Sequence, residues 1–187
     1  MGTSKNVRSP DIPPWKPFLA VVGRPDVPIE RQAKELWRAA YADRGHRLED
    51  DFSQRTLAFA CELAATTRNV QTALHEYDAA NQREQRAGLG VEVGRRALAR
   101  AVARGTGAAG FAADFFADAS SYYASRDLPS FVGAAGRVQN TSSAIELKNA
   151  ITRVTREQVS RIGVPRTDAD GWASFVKSAL MALRRGR

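Results

Sequence analysis

Between Gly45 and Gly88 the chain carries neither glycine nor proline, and that gap limits what the middle of the protein can be. Without the two residues that most readily break helices, residues 46–87 read as one long helix or two stacked helices. Phe52, Phe59, Leu63, Thr66, Val70, Leu74 and Tyr77 recur at spacings of three, four and seven. Those spacings put them on one stripe of a helix. Leu57, Ala60, Cys61 and Ala64 fall on the opposite side, so residues 52–65 are apolar nearly all round, the pattern of a helix central to a bundle. From Arg68 onward the far side turns polar through His75, Asp78, Gln82 and Arg86. The expectation is an all-α fold: a single bundle of about six or seven helices around one long central helix at 48–85. It forms a helical bundle domain over 28–187, behind an extended proline-rich arm at 1–27.

Pro10, Pro13, Pro14, Pro17 and Pro25 punctuate that arm, with Pro28 just beyond it, and exclude a continuous helix through it. Ile12, Trp15, Phe18, Leu19, Val21 and Val22 are too apolar for a solvated linker, and residues 18–22 could form a short edge strand. Such an arm packs on its own domain or on a neighbour. Trp15 and Phe18 are the candidate partner-binding residues, whether the partner is another subunit or a second copy. Pro28 and Glu30 then open a helix to about Asp43, which Gly45 is expected to break.

The chain holds 28 Lys+Arg against 20 Asp+Glu, a formal net charge of +8 and a pI near 10.2. Arginine supplies most of the cations and binds phosphate bidentately, which suits a polyanionic partner. Arginine also accumulates through GC-rich codon usage, so a merely solvated surface stays open as an alternative. The leading basic surface is Arg95, Arg96, Arg100 and Arg104 on a helix over 91–104, with Leu98 and Val102 on its opposing side. No acid occurs between Val93 and Ala113, so these arginines lack a local neutralising partner.

An aromatic-rich helix follows from Phe111 to about Ser125, and residues 126–141 read as an irregular connection anchored by Leu128, Phe131 and Val132. Ser143 and Glu146 form a capping box that opens a helix to about Ile162. Asp168 or Asp170 caps the last helix, whose stripe is Trp172, Phe175, Val176, Ala179, Leu180 and Leu183. Arg137, Arg153, Arg156, Arg161, Arg184 and Arg185 are secondary candidates for nucleic-acid contact.

Gly105-Thr106-Gly107-Ala108-Ala109-Gly110 matches a bare Gly-x-Gly-x-x-Gly string, but it follows an arginine-rich helix rather than a strand, so it is not read as a nucleotide site. Asp114 and Asp118 stand four apart without a Glu-x-x-His or Asp-x-Asp partner, and Cys61 is a lone cysteine in an apolar helix. No metal and no cofactor are expected. The opening Met-Gly-Thr-Ser-Lys-Asn leads into prolines rather than an apolar run, and no run is long enough to cross a bilayer. The expected location is cytoplasmic, with no membrane partner.

Two short stretches resemble known families. Arg68-Asn69, followed after five more residues by His75, resembles the arginine–polar–histidine spacing of HEPN ribonucleases. That all-helical family implies Arg68 and His75 acting on RNA phosphate in a dimer cleft. Phe111-Ala112-Ala113-Asp114-Phe115-Phe116 resembles the aromatic-Asp-Phe-Phe box of flexible filamentous plant virus coat proteins, which implies a nucleic-acid-coating role.

The preferred reading is a non-enzymatic basic subunit. It contacts RNA or DNA backbone without regard to sequence, and other chains of a larger assembly, which could be coat-like. A HEPN-like ribonuclease using Arg68 and His75 is one alternative, and a pure protein–protein adaptor is another.

Overall fold

The computed structural model describes residues 13–128 and 141–185, with backbone alone for 13 and 43–47. Residues 1–12 of the expected arm and 129–140 of the expected connection, with Phe131, Val132 and Arg137, lie outside the described residues. Among those described, a 3₁₀ turn at Pro13–Trp15 leads into α1 (Lys16–Val21), α2 (Ile29–Phe52), α3 (Arg55–Thr66), α4 (Val70–Arg83), α5 (Leu89–Arg104), α6 (Gly107–Asp127), α7 (Thr141–Ser160) and α8 (Ala169–Arg185). The fold is an all-helical bundle, and no strand occurs among the described residues.

The arm differs from expectation. Residues 16–21 are helical, not extended, and no edge strand forms at 18–22. Proline sits at the start of α1, where its missing N–H has no intrahelical partner to lose. Trp15 and Phe18 are fully buried in the molecule's own core, meeting edge to face with ring centroids 6.1 Å apart. They pack where the 3₁₀ turn and α1 lie on α2. Of the two expected placements, on the chain's own domain or on a neighbour, the structure has the first, and burying two large aromatic rings at home removes them from water.

The middle of the chain also differs. α2 runs through Gly45 instead of stopping there. One glycine costs a helix only about 1 kcal/mol relative to alanine, while Trp37, Ala40, Leu48 and Phe52 on either side of it are buried. In place of one central helix at 48–85, the chain turns at Ser53–Gln54 and again at 67–69. The second turn is built by polar side chains. The Thr66 hydroxyl donates to the Glu62 carbonyl at 2.9 Å, Thr67 is extended, and the Asn69 side chain caps α4 by accepting from the Thr72 N–H at 3.0 Å. Local bonds of this kind replace the helical ladder without any glycine or proline.

The expected apolar faces of α3 remain buried, with Leu57, Ala60, Cys61 and Ala64 all inside. The helix at the centre, however, is α6, flanked by α3, α5 and α7. Phe111, Ala112, Phe115, Phe116, Ala119 and Ala124 are buried around its circumference, so it is sheathed on nearly all sides. Its aromatic rings form one cluster with α2 and α8. Phe52 lies 5.0 Å from Phe115 and 5.5 Å from Phe116, and Trp172 lies 5.6 Å from Phe111 and 6.0 Å from Phe115. No helix among the described residues is long and apolar enough to cross a membrane.

Candidate nucleic-acid interface

α5 presents its arginines outward because its other side is committed to the core. Val93, Ala97, Leu98, Ala101 and Val102 are buried. Gly94 lies so close to its neighbours that a β-carbon there would fall 2.5 Å from Leu57 Cδ2 and 2.6 Å from the Tyr77 hydroxyl. Gly105, at φ 64°, ends the helix in the left-handed conformation, which glycine adopts without steric cost. The side chains of Arg95, Arg96 and Arg104 are about half exposed, and that of Arg100 about one-third.

These arginines are not without acids, and the expectation drawn from the local sequence is corrected. Arg95 Nε donates to both carboxylate oxygens of Asp78 on α4, at 3.0 and 3.1 Å. Arg96 reaches Glu92, one turn back on its own helix, at 3.3 Å. Arg100 hydrogen-bonds Asp118 on α6 through Nη2, and its Nε lies 3.5 Å from Asp114 Oδ2, a charge contact rather than a hydrogen bond. Arg104 Nη1 approaches the same oxygen to 3.6 Å. From α7, Arg156 donates through Nε and Nη2 to Asp114 Oδ1 at 3.1 and 2.8 Å.

Asp114 is only 4% exposed, so three arginines from two helices converge on one buried carboxylate of a third. Burial alone would lower the Arg100 pKa, but the hydrogen bond and charge of Asp118, with the charge of Asp114, raise it above the usual arginine value. Arg100, Arg104 and Arg156 set three cations against the two carboxylates of Asp114 and Asp118. The cluster therefore keeps one positive charge in excess.

The secondary candidates scatter. Arg153 pairs with Glu30 on α2, and Arg161 is exposed beyond the end of α7. Arg184 and Arg185 lie at the tip of α8, where their main-chain carbonyls accept from Arg38 Nε at 3.1 Å and Nη2 at 2.7 Å. The Arg184 guanidinium also lies over the Tyr41 ring, 5.9 Å from its centroid. Arg184 and Arg185 thus belong to a patch built on α2.

Arg68 and His75 are both exposed. His75 lines a shallow depression with Phe59, Glu76, Ala79, Gln82 and Arg83. No hydrogen bond or ion pair joins Arg68 to His75 among the described residues. Cys61 is fully buried, and burial pushes its thiol pKa up to about 12, so it is not a nucleophile at neutral pH.

The sequence reading missed the role of Asp114, though a signal was present. An acid set among Phe111, Ala112, Ala113, Phe115 and Phe116 lies on a helix that is buried all round, and a buried carboxylate needs cations. Comparison of the chain with protein-family models, with curated protein sequences and with solved structures found no match.

Proposed function

We propose that the chain is a non-enzymatic helical subunit that contacts nucleic-acid backbone through the arginine face of α5 and α7. The observation that carries this reading is the meeting of Arg100, Arg104 and Arg156 over Asp114, with about half of the Arg104 and Arg156 side chains and about a third of Arg100 exposed and one cation in excess. Side chains already held in place lose less rotamer freedom when an anion binds. Arginines distributed along two helices would release counterions from a phosphate backbone without reading bases. With Trp15 and Phe18 inside the core, contact with other chains no longer rests on those two residues.

The test is a gel shift with single-stranded and duplex RNA and DNA at two salt concentrations. Binding at low salt that fades as salt rises, and that weakens when Arg95, Arg96, Arg100 and Arg104 are all changed to Gln, is the expected result. Absence of any shift at low salt would sink the reading and leave a pure protein adaptor.

A second reading is favoured by one observation. The turn at 67–69 sets Arg68 just before the Asn69 cap of α4 and His75 in the helix's second turn, so the HEPN-like pair flanks a helix start rather than lying within a continuous helix. RNA cleavage that disappears with His75→Ala would establish the ribonuclease in place of the binding subunit.

A further inference from the structure

Arg100, Arg104 and Arg156 differ from Arg95, Arg96 and Arg153, which each pair with an acid of their own. These three share Asp114, each within 3.6 Å of it, so their guanidinium groups are neighbours where α5 and α7 flank α6. The carboxylate is buried while the side chains of Arg104 and Arg156 are 59% and 44% exposed. The cations therefore lie over it, between Asp114 and solvent.

Each guanidinium offers five N–H donors, far more in total than two carboxylates can accept. Within the described structure the half-exposed Arg104 guanidinium makes a charge contact at 3.6 Å but no hydrogen bond, so its donors stay open to an added anion. An oxyanion with several oxygens fits donors converging from three directions better than a planar carboxylate does. The single surplus charge matches the single negative charge of a phosphodiester.

We propose that Arg100, Arg104 and Arg156 together seat one phosphate group of the nucleic-acid backbone, and that Asp114 is a positioning residue that holds the three side chains fanned above itself and beneath the phosphate. This rests on the proposed backbone contact and adds where the backbone is gripped. The same chemistry could take free phosphate, so the test separates the two sources.

The experiment is fluorescence anisotropy of a labelled single-stranded 12-nucleotide oligomer, titrated with the full-length protein at several salt concentrations. Arg104→Gln removes no intramolecular hydrogen bond, and its melting curve should match the parent's. It should weaken binding about five- to tenfold and lower the salt slope by roughly one phosphate contact. Arg95→Gln makes the same charge change on the same helix, within the proposed face but outside the seat, and should weaken binding only about two- to threefold. Inorganic phosphate at millimolar concentration should compete with the oligomer on the parent protein and do so more weakly on the Arg104→Gln variant. Equal losses from Arg95→Gln and Arg104→Gln would overturn the seat while leaving a diffuse basic surface. Phosphate binding without oligomer binding would overturn the assignment to a backbone. Failure of the parent to bind the oligomer at low salt, with no phosphate effect, would remove the seat and the proposed function together.

Discussion

Trp172 donates its indole Nε1–H to the main-chain carbonyl of Phe52 across 2.7 Å, and both residues are fully buried. Phe52 is the last residue of α2, so its carbonyl is one of the terminal acceptors with no partner inside its own helix. α8 supplies that partner from 120 residues along the chain. The last helix thus terminates the second one, and the aromatic cluster closes around the joint.

Trp172→Phe should keep most of the ring packing and leave the Phe52 carbonyl buried without a donor. The expected loss is about 1–3 kcal/mol, read as a lower urea midpoint with an unchanged slope. A midpoint within error of the parent's would show that the bond contributes nothing net.

Gly94→Ala should destabilise the fold although alanine is the better helix former. The intrinsic gain is at most about 1 kcal/mol, whereas the new methyl would meet Leu57 Cδ2 at 2.5 Å and the Tyr77 hydroxyl at 2.6 Å. Tyr77 is held by its bond to the Val91 carbonyl at 3.2 Å, so overpacking of about 1–3 kcal/mol should win. Thermal melting decides the sign.

Trp15→Ala should lower stability by about 3–5 kcal/mol, as expected for a fully buried indole. Light scattering should find the same particle size for variant and parent. A change in oligomer size with an unchanged melting temperature would instead show that the ring serves a neighbour.

Stability should fall above pH 9, and Cys61 should account for part of the fall. The folded thiol has its pKa raised by burial from 9.0 to about 12, so between those values the unfolded chain has lost a proton that the native state keeps. Native stability then declines with rising pH by up to about 1.4 kcal/mol per unit and is unaffected below pH 9. Tyr77, also raised mainly by burial from 10.0, adds to the decline at higher pH. Urea midpoints at pH 8, 9 and 10 should therefore drop less for Cys61→Ala than for the parent. Parallel curves would assign the decline to other groups.

Much of the helix pattern was legible because it is local. The faces of α5 and α8 follow from apolar spacing, and Asp168 caps α8 as its position suggests, accepting the Gly171 N–H at 2.9 Å. Ser143 and Glu146 of the expected capping box lie within α7 as described, Thr141–Ser160. The turn at 67–69 was hidden because threonine and asparagine do there what glycine and proline more often do, yet Asn69 three residues before Thr72 is a readable cap. The continuity of α2 through Gly45 depends on what packs beside it, which no local rule contains. The acids facing Arg95, Arg100 and Arg156 lie 17, 18 and 42 residues away. Such pairs exist only once helices from distant parts of the chain are laid side by side, so a window without acids misread the charge balance.

The position of α6 has a consequence in time. More than half the chain precedes Gly107, so α1 to α5 emerge during synthesis before the helix that fills their centre exists. At roughly 5–20 residues per second, the sides of α3 and α5 that pack on α6 wait for seconds without it. Even after Asp127 has been made, Phe52, Phe111 and Phe115 lack Trp172 until α8 arrives. A ribosome-bound chain of this protein therefore keeps these apolar faces exposed until α8 has been made. Premature termination anywhere before α8 yields a fragment suited to aggregation or capture by chaperones rather than a smaller working domain.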